Sequence, residues 1–327
     1  MDMGFLLFLQ ELRESLPPVV THAFMLISDV VSGPALVAIP LILYWCFDKH
    51  RAVHVLFSFA FGSVLNGLIK VSACVLRPWM RDSRLRPHEP ALETATGYSF
   101  PSGHTQTAAS IFGALGWSFR DKHRWALPVS VVVVVLVALS RNQLGVHTPQ
   151  DVLAGMALGW LCVWAAERML IWVEEGENRD MWLTVVACIL AVAFSVFVAI
   201  KPYPDDLGLS EDALEDMVLD TYKAIGLFAG AFLGWWAERR YVNFDAPSQR
   251  RQGVVRILVG VVLVVAFRYG VAWPFSLLDS DAVFEFAKNF LTTIAAVIVA
   301  PWVFVEIEHR WPASRQWKRL GVPLSPK

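Results

Sequence analysis

Three short polar stretches hold most of the side chains in this chain that could do chemistry together. "KVSACVLRP" carries Lys70 and Arg77, seven residues apart; that is close to two helical turns, so both cations share one helix face. "GYSFPSGHTQTA" brings Ser102, Gly103 and His104 to the start of an apolar run. Free backbone N–H groups and the helix dipole favour an anion there, and glycine permits close approach. "SRNQLGVHTPQD" adds Arg141, His147 and Asp151, with the carboxylate four residues beyond an imidazole that it could orient. Three cations, two histidines and one carboxylate suit phosphoryl transfer. Cations and backbone N–H groups would hold the equatorial oxygens, and two histidines from different loops can divide the roles of attacking group and proton donor. Cations can stand in for a metal, and no Asp/Glu/His cluster has metal-ligand spacing, so neither metal nor cofactor is expected.

For the three stretches to meet, the elements between them must deliver them to one end of a bundle. The 327 residues are 56% hydrophobic and only 17% charged, against about 25% charged in a soluble domain, and the mean hydropathy is +0.49. The fold class expected is all-α, a polytopic transmembrane bundle. Its charges cluster between apolar runs and sum to -1, so nucleic acid is not an expected partner. A span needs about 20 apolar residues, which gives nine, near 20–47, 52–76, 104–119, 125–141, 150–173, 181–201, 218–237, 253–273 and 284–305. The first contains Asp29 and a kink at Gly33-Pro34.

Alternating spans put "DKHR" (48–51), "RDKHR" (120–124), "ERRYVNFDAPSQRR" (238–251) and "HRWPASRQWKR" (309–319) on one side. That side reads as cytoplasmic, which leaves all three polar stretches at the outer boundary of a cell membrane. Phe5, Phe8, Leu9, Leu12 and Leu16 lie on one helical face, so 1–17 is expected as an amphipathic helix in the outer interface rather than a cleaved signal peptide. Residues 18–174 then form a core with all three stretches, 175–310 an additional four-span bundle and 311–327 a basic cytoplasmic tail. Cys46, Cys74, Cys162 and Cys188 read as buried apolar groups, and the acidic segment 205–220 as a solvated loop or a lid.

Lys70-x6-Arg77-Pro78, Pro101-Ser102-Gly103-His104 and Ser140-Arg141-x5-His147-x3-Asp151 resemble the three-part signature of the type 2 phosphatidic acid phosphatase superfamily. Every signature position matches, with the family's internal spacings. The resemblance implies a helical phosphatase without a metal: His147 forms a phosphohistidine, Asp151 assists it, and His104 protonates the leaving group. Lys70, Arg77, Ser102, Gly103 and Arg141 would hold the phosphate. It runs over roughly residues 60 to 155 and departs from the common six-span plan, with one span before the Lys70 helix and four after the core. The wording "YWCFDKHRA…LNGLIKVSACVLRP" is most similar to the sphingosine-phosphate-phosphatase-like branch. Implied substrates are an isoprenyl (di)phosphate, a phosphatidate-like or phosphatidylglycerophosphate-like lipid, or a sphingoid phosphate, presented from membrane lipid.

Plainer readings exist for each residue alone. Lys70 can snorkel, "TPQD" is a capping box with Thr148 at N-cap and Asp151 at N3, and "PSGH" is an ordinary helix start. Their joint spacing on one face favours chemistry. Lys201, Lys223, Arg268 and Lys288, near the outer ends of later spans, read as snorkelling cations or as contacts to a second phosphate. Two other functions fit the same residues: transfer of the phosphoryl group to a second lipid, and a lipid-moving or partner-binding bundle with an ancillary phosphatase core.

Overall fold

The computed structural model describes residues 2–29, 33–204, 209–247 and 250–310, and is helical with no strand among them. In chain order the helices are α1 Asp2–Ser15, α2 Pro18–Asp29, α3 Pro34–Cys46, α4 Lys49–Ala73, α5 Pro78–Arg81, α6 Gly103–Phe119, α7 Ala126–Gln143, α8 Pro149–Glu174, α9 Arg179–Ile200, α10 Glu211–Ala237, α11 Arg250–Ala266, α12 Asp281–Ile294 and α13 Ala300–Arg310. A single π-helical turn, Ala295–Val299, joins the last two. Polar caps set the starts: Asp48 accepts from Arg51 N at 3.0 Å, and the side chains of Ser210 and Ser280 cap α10 and α12.

Among the described residues seven helices are long and apolar enough to cross a membrane, so the count of nine is not reproduced by length and composition. The two shortfalls are local. The expected first span is broken at Gly33-Pro34 into α2 and the 13-residue α3, and α6 has only 17 residues. The expected acidic loop at 205–220 is also revised: residues 211–220 are the first turns of α10, where Glu211 and Asp212 complement the helix dipole. Residues 205–208 and the basic tail 311–327 lie outside the described residues.

The basic connections meet at the end of the bundle away from the three polar stretches. Lys49 pairs with Glu238 at 2.8 Å, Arg51 Nε donates to Ser118 O at 2.9 Å, and Arg256 binds both oxygens of Glu308 at 2.8 and 3.0 Å. One hydrophobic cluster runs from the core into the added helices, with Phe57 of α4 stacked on Phe232 of α10 at 4.1 Å and edge-on to Trp235 at 5.0 Å. Large apolar side chains of α7, α9 and α11, such as Val132, Ile189 and Val262, point outward, as an integral membrane protein requires. On α1, Phe5, Phe8 and Leu12 are exposed while Leu6 is buried, and Arg13 ties the helix to the Gln143 carbonyl at 2.8 Å and to the Arg86 carbonyl. All four cysteines are free, but only Cys162 is buried; the other three are half-buried.

Candidate active site

The end of α4, the start of α6, the end of α7 and the start of α8 converge, because α6 and α8 approach at backbone distance. A Cβ added to Gly155 would stand 2.5 Å from Ser102 O, so only glycine lets the two helix starts meet. Ser102 N then donates to Asp151 O at 2.9 Å. Each start is capped by its own sequence: the Ser102 hydroxyl accepts from Thr105 N, and Thr148 and Asp151 form a reciprocal capping box.

Between these helix ends lies a cavity of about 240 Å³. Lys70, Arg77, Gly103, His104 and His147 line it, whereas Ser102, Arg141 and Asp151 stand behind its wall. Ser102 is fully buried with its hydroxyl committed to the cap, so a phosphate would meet its helix start through Gly103 and His104. Arg141 is 0% exposed: Nη1 donates to Ser28 Oγ of α2 at 2.6 Å and to Thr94 Oγ1 at 3.4 Å, while Nε and Nη2 have no hydrogen-bond partner among the described residues. Unpaired donors on a buried guanidinium are costly, and an anionic ligand would satisfy them.

Arg77 fixes the state of His147. Its Nε donates to Gly97 O at 2.9 Å, Nη2 to Thr96 O at 2.7 Å, and Nη1 to Val146 O at 3.1 Å and to His147 Nε2 at 3.0 Å. A guanidinium can only donate, so Nε2 carries the lone pair and Nδ1 carries the proton. His147 is 2% exposed, and its burial, with the adjacent Arg77 charge, holds the imidazole well below its ordinary value and hence neutral. On the far side Nδ1 lies 3.5 Å from Asp151 Oδ2 and 3.4 Å from Ser99 Oγ, which itself donates to Asp151 Oδ2 at 2.6 Å. The ring is thus anchored through Nδ1, with a nucleophilic Nε2 beside the cations.

Sequence reasoning missed Ser99, Thr94, Thr96, Ser28 and four residues of α10 that line the cavity: Met217, Asp220, Thr221 and Ala224. Ser99 stands inside the "GYSFPSGH" stretch and could have been noticed as a hydroxyl next to a buried helix start. The α10 residues carry no spacing signal that links them to the motifs. Lys201, Lys223, Arg268 and Lys288 do not line the cavity: Lys201 contacts Cys74 Sγ at 3.6 Å, Lys223 pairs with Asp220, Arg268 lies over Tyr269 and Lys288 pairs with Glu285. Among the described residues no group of three His, Cys, Asp or Glu is placed to hold a metal ion.

Comparison with known proteins adds two family models: one described as PAP2 superfamily matches residues 51–175, and one described as PAP2 superfamily phosphatase, transmembrane extension, matches 222–312. Phosphatidylglycerophosphatase B of Bacillus subtilis (strain 168) is 37% identical over 94 residues, 27% of this chain and 45% of that protein. Undecaprenyl-diphosphatase of Sulfolobus acidocaldarius is 31% identical over 122 residues, 37% of this chain and 56% of that protein. Lipid phosphate phosphatase delta of Arabidopsis thaliana is 25% identical over 167 residues, 48% of this chain and 39% of that protein. The chain thus spans about half the length of the curated relatives it matches. No solved structure matches it.

Proposed function

The chain belongs to the PAP2 superfamily, and from that premise we propose that it hydrolyses the phosphate of a membrane lipid through a phosphohistidine on His147, without a metal. The observation that carries the reading is His147 at the cavity wall, its Nε2 accepting from Arg77 at 3.0 Å in a cavity that Lys70 also lines.

In the first step Nε2 attacks phosphorus, the bond from phosphorus to the lipid oxygen breaks, and His104 gives that oxygen its proton. Arg77 leaves Nε2 for a phosphate oxygen as the substrate enters, Lys70 and the N–H groups at Gly103 and His104 hold the others, and Arg141 adds its charge from behind the wall. Asp151 and Ser99 stabilise the positive charge that develops on the ring. In the second step His104 takes a proton from water, the water oxygen bonds to phosphorus, and the P–N bond breaks to release inorganic phosphate. The basic connections gathered at the opposite end support an outward-facing site in a cell membrane.

The relatives' names put a phosphatidylglycerophosphate and an isoprenyl diphosphate on the substrate panel, and the wording of the first two spans adds a sphingoid phosphate. Two other readings have less support. Phosphotransfer shares the intermediate and differs only in its acceptor, and a separate transport bundle fits poorly with α10 lining the cavity. The test is phosphate release by the purified full-length protein in EDTA across that panel plus phosphatidate, with vanadate and His147→Ala as controls. Release that vanadate blocks and His147→Ala abolishes supports the proposal; release that needs added metal, or a lipid acceptor, contradicts it.

A further inference from the structure

The cavity's outer wall is supplied by a helix that lies outside all three motifs. Asp220 of α10 falls between the two matched regions, 51–175 and 222–312, and among the described residues is the one acidic side chain lining the cavity. Its position is fixed by the chain around it. Gly97, with φ +58°, presses the 94–99 segment onto α10 so closely that a Cβ there would stand 2.5 Å from Met217 Cβ. Asp220 Oδ2 accepts from Thr96 Oγ1 at 3.1 Å, and Oδ1 accepts from Lys223 Nζ at 2.8 Å. Thr96 in turn gives its carbonyl to Arg77, and Asp220 lies close enough to Lys70 for their charges to interact. A half-exposed carboxylate therefore stands at the rim of a site otherwise built to attract anions.

We propose that Asp220 sets the charge that the site accepts, selecting lipid monophosphates against lipid diphosphates. This rests on the phosphatase reading above. The attacked phosphate must reach His147, which is buried, so the second phosphate of a diphosphate ester lies between it and the tail, toward the rim. There it meets the Asp220 carboxylate, and a hydroxyl or bare ester in the same place does not. At about 7 Å and an effective dielectric of about 40, one extra negative charge beside Asp220 lowers kcat/KM about tenfold. Lys223 offsets part of that repulsion, so removing its charge strengthens the selection.

The test uses the purified full-length protein with two probes of identical tail, farnesyl phosphate and farnesyl diphosphate, and reads the ratio of their kcat/KM values. Asp220→Asn keeps an acceptor for Thr96 and is expected to raise the diphosphate-to-monophosphate ratio about tenfold. Lys223→Gln is expected to lower it about threefold. Raising salt from about 0.05 to about 0.5 M should shrink both effects, which a purely structural role would not do. A ratio unchanged in Asp220→Asn, or moved the same way by both variants, overturns the specificity while leaving the phosphatase reading intact. If the wild type hydrolyses neither probe, this inference falls while the phosphatase reading stands on its own lipid panel; if His147→Ala retains the wild-type rates, the phosphatase reading itself falls and takes this inference with it.

Discussion

Asp151 has two partners that predict different phenotypes, and replacing it with asparagine separates them. Its Oδ2 accepts from Thr148 N at 2.7 Å as half of a capping box, and lies 3.5 Å from His147 Nδ1. Asparagine is nearly isosteric and keeps one acceptor oxygen for the cap, so the capping role alone costs at most about 1 kcal/mol of stability. That would leave kcat almost untouched in the folded protein. The electrostatic role is larger: a unit charge on the ring 3.5 Å from the carboxylate is worth about 5 kcal/mol at an effective dielectric of about 20. The transition state carries part of that charge, so about half of it, 2 to 3 kcal/mol, is expected in the barrier. Asp151→Asn should therefore lower kcat about a hundredfold with a shift in Tm of only a few degrees. The assay is phosphate release at saturating lipid phosphate, with a thermal melt of the same preparation in detergent. A kcat within threefold of wild type, or a loss of kcat matched by loss of folded protein, would refute the electrostatic role.

Three further outcomes follow from the same geometry. Ser99→Ala removes the 2.6 Å hydrogen bond to Asp151 and is expected to lower kcat about tenfold or more, with Ser99→Thr recovering part of the rate. Gly103→Ala meets only Asn66 Oδ1 at 3.6 Å, so a melt should show unchanged or slightly higher stability, while KM for the lipid phosphate rises because the added methyl crowds the anion at the helix start. Histidine-labelled protein observed by NMR should show His147 as the neutral Nδ1–H tautomer at pH values below about 6.5, because burial and Arg77 lower its pKa and protonation therefore waits for more acid. Titration at or above that value would contradict the assignment.

What was legible in the sequence was local or carried by spacing. The Ser102 cap and the Thr148–Asp151 box depend on near neighbours, and the pattern of residues shows them. The single helix face expected for Lys70 and Arg77 is not formed: α4 ends at Ala73, Cys74 turns left-handed at φ 49°, and Arg77 stands in extended backbone before α5, so it reaches the cavity from a loop. Alternation of apolar spans brought the three stretches to one end, and the ion pairs at the other end agree with it. The break at Gly33-Pro34 was visible as a kink, but not that it leaves two helices each too short to cross. Contacts across long separations left no trace. Ser99 reaches Asp151 over 52 residues and Thr96 reaches Asp220 over 124, so the hydroxyl behind the histidine and the α10 wall emerge only when the helices pack. Arg77 was read as a phosphate donor from its motif, yet its hydrogen bonds go to three backbone carbonyls and His147.

The central claim is a covalent bond between phosphorus and His147 Nε2, and trapping it is the most direct test. Purified protein mixed with a lipid phosphate labelled at phosphorus and quenched within the first turnovers should carry label that is stable to alkali and labile to acid. Peptide mapping should place it on His147, and none should appear in His147→Ala. Phosphate release at full rate with no protein-bound label, or label on any other residue, would contradict the account.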